Sequence, residues 1–482
     1  MSDKKISKLF NDLCKEHYAS GARLIIANQN EFLVNECYGM ASIERNEETT
    51  PDTIYRIASI SKTIGAIGLM ILKERGLLCL DDDISDIFGF KIRNPKFPDK
   101  KITVRMITTQ TSSILDGYDD EELDADIPQK GYNGVNGTNL ECTLKDLLIP
   151  NDGPYYTPLT FADYAPGDGF NYSNFGCGIM ACIIEKVSGI PFTNFMTENV
   201  FKPLQINANF VPNRLEHQEK IADMYQCYRE NQRSVYKRER FINNPYTVWP
   251  LGENYRGPAG GLFISIEDLA KLMQMFINKG VLNNVRILKE ETVEEMYQMQ
   301  WAGTSPDEYR AKGVQMRVYQ YTPNHLLRGH TGGAYGVKSY LFFDLQHKIG
   351  GCFITNGFLD HHISKHTEAL FVKTLNAMID EYTTYIETNV DVNEKYIDLG
   401  YRKIFYQAPV VDEYYPLLNV IDALNLNPVF DTDGNFIINT DNGSYIPGIK
   451  MINDTPYVNL DEILLTLKIN YQKSGNGYKF NY

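Results

Sequence analysis

Ser59-Ile60-Ser61-Lys62 sets a hydroxyl and an amine three residues apart. On a helix, residues at that spacing share a face, so Ser59 and Lys62 meet while Ser61 points elsewhere. A serine hydroxyl is a poor nucleophile near neutral pH and needs a neighbouring base. A lysine buried at a helix N-terminus is pushed towards its neutral form by desolvation and by the positive end of the helix dipole, which suits it to that task. The four residues alone also read as a capping serine and a solvated lysine. Two further pieces add weight. In Pro166-Gly167-Asp168-Gly169-Phe170-Asn171-Tyr172-Ser173-Asn174, Tyr172 and Asn174 lie two apart in an extended stretch and point the same way. A tyrosine there could act as a base only beside a cation, which Lys62 would supply, and Asn174 offers a donor and an acceptor to an amide or ester. In Gly329-His330-Thr331-Gly332-Gly333, between two expected strands, the glycines let the backbone approach a ligand, and a main-chain N–H could donate to an oxyanion.

In this order, Ser59–Lys62, Tyr172–Asn174 and His330–Gly332 resemble the SxxK, YxN and HxG motifs of the serine β-lactamase and penicillin-binding protein superfamily, nearest its class C β-lactamase-like esterases and D-peptidases. Tyr55-Arg56-Ile57-Ala58, Ile102-Thr103-Val104-Arg105, Thr111-Ser112-Ser113 and Gly257-Pro258-Ala259-Gly260-Gly261-Leu262 extend the resemblance over roughly residues 10 to 380. It implies an α/β (α+β) fold, an antiparallel sheet flanked by helices with an all-helical insertion, and an acyl-serine mechanism without a cofactor or metal. Carried over residue by residue, Ser59 is the nucleophile, Lys62 its general base and Tyr172 the second acid/base. Asn174, His330, Thr331, Gly332 and Gly333 bind substrate, and the N–H groups of Ser59 and Gly333 form the oxyanion hole. His330 stands where lactamases of this pattern carry lysine. It is a cation only at acid pH, so weak recognition of a substrate carboxylate is expected near neutrality, and faster turnover of short acyl esters than of penicillins. Gln110 and Ser113 also depart from the pattern, as changes of local packing. The function implied is an esterase or D-amino-acid-type peptidase acting on a small ester, amide or peptide. A catalytically weak penicillin-binding or scaffolding protein is the alternative, and a true class C-like β-lactamase is disfavoured.

Positioning these groups requires a scaffold. Residues 5–17 read as a short amphipathic helix, and 22–27 with 31–38 as a hairpin. The segment Thr53–Gly76 is apolar on every face, with Gly76 placed past its end, and reads as a buried helix. Helical segments and polar loops fill roughly 80–310, including a helix capped by Ser265 and running to Gly280. Strands are expected over 315–321, 335–344 and 348–355, and a helix over 363–382. One sheet built from both ends of a 1–385 domain follows, from about 20–40 and 314–382.

With 482 residues the chain exceeds a single core, which stops growing near ~250–300 residues. Residues 386–482 carry an internal repeat: Leu417, Val420, Leu424 and Leu426 recur as Leu460, Ile463, Leu467 and Ile469, and Asp433-Gly434 as Asn476-Gly477. Each unit reads as a helix, a strand and a hairpin turn, together a small α+β accessory domain that could serve a partner or polymer. Thr455–Leu460 is similar to copper amine oxidase N-domain-like repeats. A net charge of −14 argues against nucleic acid and anionic membranes as partners. No apolar stretch approaches the ~20 residues of a membrane span, and the N-terminus lacks a signal-peptide pattern, so a cytoplasmic location is expected. Eight cysteines without CxxC spacing exclude a zinc ribbon or a disulfide framework, and Cys177 and Cys182 read as buried thiols. His361, His362 and His366 read as solvated, and Asp119–Glu122 as an acidic loop.

Overall fold

The computed structural model describes residues 2–117, 130–150, 152–229, 232–243, 249–303, 309–322, 325–358, 366–383, 392–398, 403–409, 413–431, 435–440, 443–452, 454–474 and 477–480. Asp119–Glu122, His361, His362, Asp433, Gly434 and Asn476 lie outside these described residues. Nine strands make the main sheet: β1 (Gly21–Asn28), β2 (Phe32–Ser42), β3 (Glu47–Glu48), β4 (Trp301–Ala302), β5 (Ala311–Lys312), β6 (Arg317–Thr322), β7 (His325–Ala334), β8 (Val337–Asp344) and β9 (Ile349–Thr355). Their order is β4-β5-β6-β7-β8-β9-β1-β2-β3. The register runs from Ala22 opposite Thr355 to Asn28 opposite Ile349, so β1 pairs antiparallel with β9. Both ends of the expected 1–385 stretch therefore build one sheet.

The helices that concern the site and its support are α1 (Ser2–Glu16), α2 (Ile60–Glu74), α3 (Val104–Thr109), α4 (Asn174–Ser188), α5 (Ile266–Ile277) and α6 (His366–Tyr382). Alternation along β1 sends Leu24 and Ile26 into one layer with Phe10 of α1 and Met378 of α6. Ile25 and Ala27 point into the other, with Ile64 and Ile67 of α2 and Phe276 of α5. Thirteen consecutive residues of α2, Ile60 to Leu72, are buried, as expected of a helix apolar on all faces. Gly76, at φ +68°, takes the left-handed position just beyond its end. Ser265 caps α5 by accepting from the Asp268 N–H at 3.1 Å. Among the described residues no single helix is long and apolar enough to cross a membrane.

Three local readings change. The helix expected over Thr53–Gly76 begins only at Ile60. Ile54–Arg56 is a strand paired with Phe263–Ser265, and Ala58 at φ +50° separates the two elements. The insertion is not all helical. It contains Phe263–Ser265 of that pair, its neighbour Ala208–Asn209 and the hairpin of Met224–Arg229 with Gln232–Tyr236. The strands at 54–56, 208–209 and 263–265 carry too few residues to display a period of two, and their partners lie far off in the chain. The third motif lies inside a strand, β7, rather than between strands, because its glycine-rich composition hides β propensity that pairing with β8 overrides.

The tail holds two strand–helix units. Tyr414–Pro416 leads into the helix Leu417–Leu424, Thr455–Asn459 into Leu460–Thr466, and the two strands pair antiparallel. Leu417, Val420, Leu460 and Ile463 are buried together, and that cluster extends onto Ala302, Ala311, Val318 and Leu326 of β4–β7. Arg310–Asp422 (2.8 Å) and Arg328–Asp454 (2.6 Å) ion pairs flank this junction.

Candidate active site

Ser59 sits at the N-cap of α2, directly after Ala58 in the left-handed region. A non-glycine residue there is strained and persists only where its surroundings hold it. The restraints are visible. The Ile57 N–H donates to the Leu262 carbonyl at 3.0 Å. The Ser61 hydroxyl donates to the Ala58 carbonyl at 2.6 Å and accepts from the Leu262 N–H at 3.1 Å. Ser61 thus ties the turn to the Gly257–Leu262 segment and faces away from Ser59. Lys62 Nζ is buried and reaches Ser59 Oγ at 3.1 Å, Asn174 Oδ1 at 2.8 Å and the Ala259 carbonyl at 2.7 Å. Desolvation dominates its environment and pulls the lysine down to about 8. Arg56 also lowers it, while Cys177 and Asp116 act the other way.

The second motif is anchored by a residue that motif reading passes over. Asp116 is partly buried and accepts from the Ser173 hydroxyl (3.0 Å), the Asn174 Nδ2 (2.8 Å) and the Phe175 N–H (2.8 Å). Burial nevertheless raises its carboxyl above the usual range. Ser173 in turn caps α4, accepting from the Gly176 N–H at 2.9 Å. Asp116 therefore orients the Asn174 amide so that its oxygen faces Lys62. Lys62 Nζ also lies 4.8 Å from the centroid of the Tyr172 ring, which brings Tyr172 and Asn174 to the same lysine. Gln110 ends α3 at φ +62°, and its carbonyl accepts from the Asn171 N–H at 3.2 Å. Ser113 accepts from Asn94 Nδ2 at 3.1 Å. Both substitutions act on packing of the loops behind the site.

The third motif packs against the nucleophile turn. A Cβ on Gly332 would stand 2.4 Å from the Ile57 carbonyl oxygen and 2.3 Å from Ser339 Oγ, so only glycine lets β7 lie this close to Ser59. Ser339 Oγ donates to the same Ile57 carbonyl at 3.0 Å. Pairing of β7 with β6 ends at Gly329, and Thr331 and Gly333 are progressively more exposed beyond it. His330 is buried. Its Nδ1 donates to the Thr331 carbonyl at 2.6 Å, and desolvation, reinforced by Lys312 and Lys62, holds the ring well below the usual histidine range. It is a neutral imidazole throughout the physiological range, not a titrating cation. Phe170, Trp301 and Tyr309 stack into an aromatic wall beside Tyr172.

Sequence reading names eight site residues, and all lie in this region. It misses Asp116, the Ala259 carbonyl, Tyr309 and Lys312. Ala259 sits in a quoted motif, and Asp116-Gly117 follows one closely, which is the only signal for either. Away from the site, His325, Asp344 and His347 bring potential ligand atoms within 4.8 Å of one another. Asp344 is engaged by His347 Nδ1 at 2.8 Å and by the turn N–H groups of Gln346 and His347, which reads as a lock on the β8–β9 hairpin.

The sheet between helical layers, with serine, lysine, tyrosine and asparagine converging at one helix N-terminus, defines a serine-hydrolase type of fold and site. The pattern of the beta-lactamase family matches residues 6–371, and the chain belongs to that family. Penicillin-binding protein 4* of Bacillus subtilis (strain 168) is 26% identical over 222 residues, 45% of this chain and 44% of that protein. Protein flp of Staphylococcus aureus (strain N315) is 27% identical over 206 residues, 42% and 37% of the two chains. The chain thus matches less than half the length of these curated relatives. Among solved structures, the octameric penicillin-binding protein homologue from Pyrococcus abyssi superposes with a TM-score of 0.59 at 19% identity, covering 100% of this chain and 99% of that one. D-amino acid amidase from Ochrobactrum anthropi SV3 gives 0.60 at 18%, covering 79% and 99%. EstCE1, a hydrolase with promiscuous acyltransferase activity, gives 0.59 at 18%, covering 78% and 98%. At these identities the likeness is one of fold.

Removing the Asp116 carboxylate should loosen Asn174 and change the charge facing Lys62 at once. For Asp116→Ala we expect kcat/KM to fall about 10–100-fold. The acid limb of the pH–rate profile should also move to lower pH, because Asp116 is one of the groups that raises the lysine. Kinetics of the purified variant from pH 5 to 10 check this. A lower rate with an unmoved profile would reduce Asp116 to a packing role.

Proposed function

We propose that the protein is a serine hydrolase that forms an acyl-enzyme on Ser59 and cleaves a small ester or amide. Neutral Lys62 takes the proton as Ser59 Oγ bonds to the substrate carbonyl carbon, and the N–H groups of Ser59 and Gly333 receive the developing oxyanion. Tyr172, beside Lys62, gives its hydroxyl proton to the leaving group as its bond to that carbon breaks and is reprotonated by Lys62, which returns to its neutral form, and Asn174 holds the acyl-side amide. Lys62 then takes a proton from a water that adds to the acyl carbon and passes it to Ser59 Oγ as the acyl–oxygen bond breaks, releasing the acid and regenerating Ser59. The observation that carries the reading is the buried Lys62 side-chain nitrogen 3.1 Å from Ser59 Oγ. In this reading residues 1–385 hold the chemistry and 386–482 are an accessory module.

Intact-mass measurement after exposure to a fluorophosphonate, a 4-nitrophenyl ester and a penicillin tests it. Ser59→Ala should take up no adduct. Ser61→Ala should still be labelled and melt lower, since it loses two buried hydrogen bonds worth roughly 1 kcal/mol each. Labelling that survives in Ser59→Ala would remove the assignment. A lasting penicillin adduct with no ester turnover would favour penicillin binding without hydrolysis.

A further inference from the structure

Lys312 on β5 stands opposite Arg317 on β6. Its side chain is fully buried, and among the described residues Nζ has no hydrogen-bond partner. Burial, together with the cations Lys62 and Arg317, brings it down to about 7, with Cys177 acting the other way. The Nε atom of Arg317, a partly exposed residue, is buried without an acceptor among the described residues. Lys312 Nζ and the Arg317 guanidinium lie 5.2 and 4.9 Å from the centroid of the Tyr309 ring. That ring stands 5.8 Å from Tyr172 and 6.4 Å from His330, so the two cations are one side chain away from the residues around Ser59. Asp116, the partly buried carboxylate of the site, is taken up by Ser173, Asn174 and Phe175. His330 supplies no charge, and with Nδ1 donating, its unpartnered Nε2 is an acceptor.

A buried cation without a counter-charge is costly to fold around, and such arrangements recur where the missing charge arrives with a ligand. We propose that Lys312 and Arg317 form a subsite for a carboxylate carried by the substrate, opened by a swing of the Tyr309 ring, a reading that rests on the acyl-serine function above. It reverses the expectation drawn from His330. The cation for a substrate anion comes from a strand outside the three motifs.

The test compares 4-nitrophenyl hemiglutarate with 4-nitrophenyl valerate, an uncharged ester of similar length. The full-length protein should prefer the carboxylated ester by about tenfold or more in kcat/KM, and Lys312→Met should erase that preference through KM, with Lys312→Arg retaining most of it. In parallel, monomethyl glutarate and inorganic phosphate are titrated calorimetrically into Ser59→Ala. Saturable binding of monomethyl glutarate that weakens about tenfold on adding Lys312→Met supports the subsite. Lys312→Met should also melt higher than the parent protein, since it removes an unpaired buried charge. If Lys312→Met does not fold, Arg317→Gln serves the same comparison. Equal turnover of the two esters, binding indifferent to these changes, or phosphate binding tighter than the carboxylate would overturn the proposal. Absence of hydrolysis of both esters would instead count against the acyl-serine reading, while the titration still decides the subsite.

Discussion

Lys62→Met should lower kcat for ester hydrolysis by about four orders of magnitude, close to the loss for Ser59→Ala, because members of a nucleophile–base unit fail together. The substitution leaves a folded protein, since methionine replaces a buried amine with an apolar chain of similar length and no carboxylate is left uncompensated by a direct ion pair. In the unsubstituted protein the base works only when neutral. With Lys62 near 8, kcat/KM should rise tenfold per pH unit below that value and level off above it. At pH 6 the rate should be about a hundredfold below the plateau. The groups facing Lys62 set the sign: burial and Arg56 lower it, Cys177 and Asp116 raise it, and His330, held well below the usual histidine range, adds no second limb. Activity within tenfold of the parent in Lys62→Met, or a rate that falls between pH 6 and 8, would exclude lysine as the base.

The second large effect is expected from the tail. A chain ending near Val390 would strip Leu417, Val420, Leu460 and Ile463 from Ala302, Ala311, Val318 and Leu326, and would leave Arg310 and Arg328 without Asp422 and Asp454. The strands so exposed, β4 and β5, carry Trp301 and Lys312, the outer wall of the site. The motifs alone imply that the shortened protein keeps its activity. The packing implies a melting temperature lower by about 8 °C or more, on a scale of 2–4 °C per kcal/mol, and kcat/KM reduced about 10–100-fold. Calorimetry and ester kinetics on the shortened chain decide between the two. An unchanged melt with unchanged kinetics would establish that the module is energetically independent of the sheet it lies against.

What could be read from the residues in order was whatever depends on short spacing. Ser59 and Lys62 meet because helical geometry brings i and i+3 together, Tyr172 and Asn174 share a lysine because they lie two apart at the start of a helix, and Gly76 and Ser265 mark helix ends through conformations and caps that local chemistry dictates. These determined the class of chemistry and the type of fold. The tertiary structure decided what depends on partners distant in the chain. It showed that Gly332 is needed because β7 presses on the Ile57 carbonyl, that Asp116 aims Asn174, and that His330 is stripped of charge by burial beside two lysines. It also placed Lys312 beside the site, although nothing in its neighbourhood of sequence distinguishes it from a solvated strand residue. Charge state and orientation depend on what surrounds a group in space, and for these residues the surroundings come from strand register and packing between segments far apart in sequence.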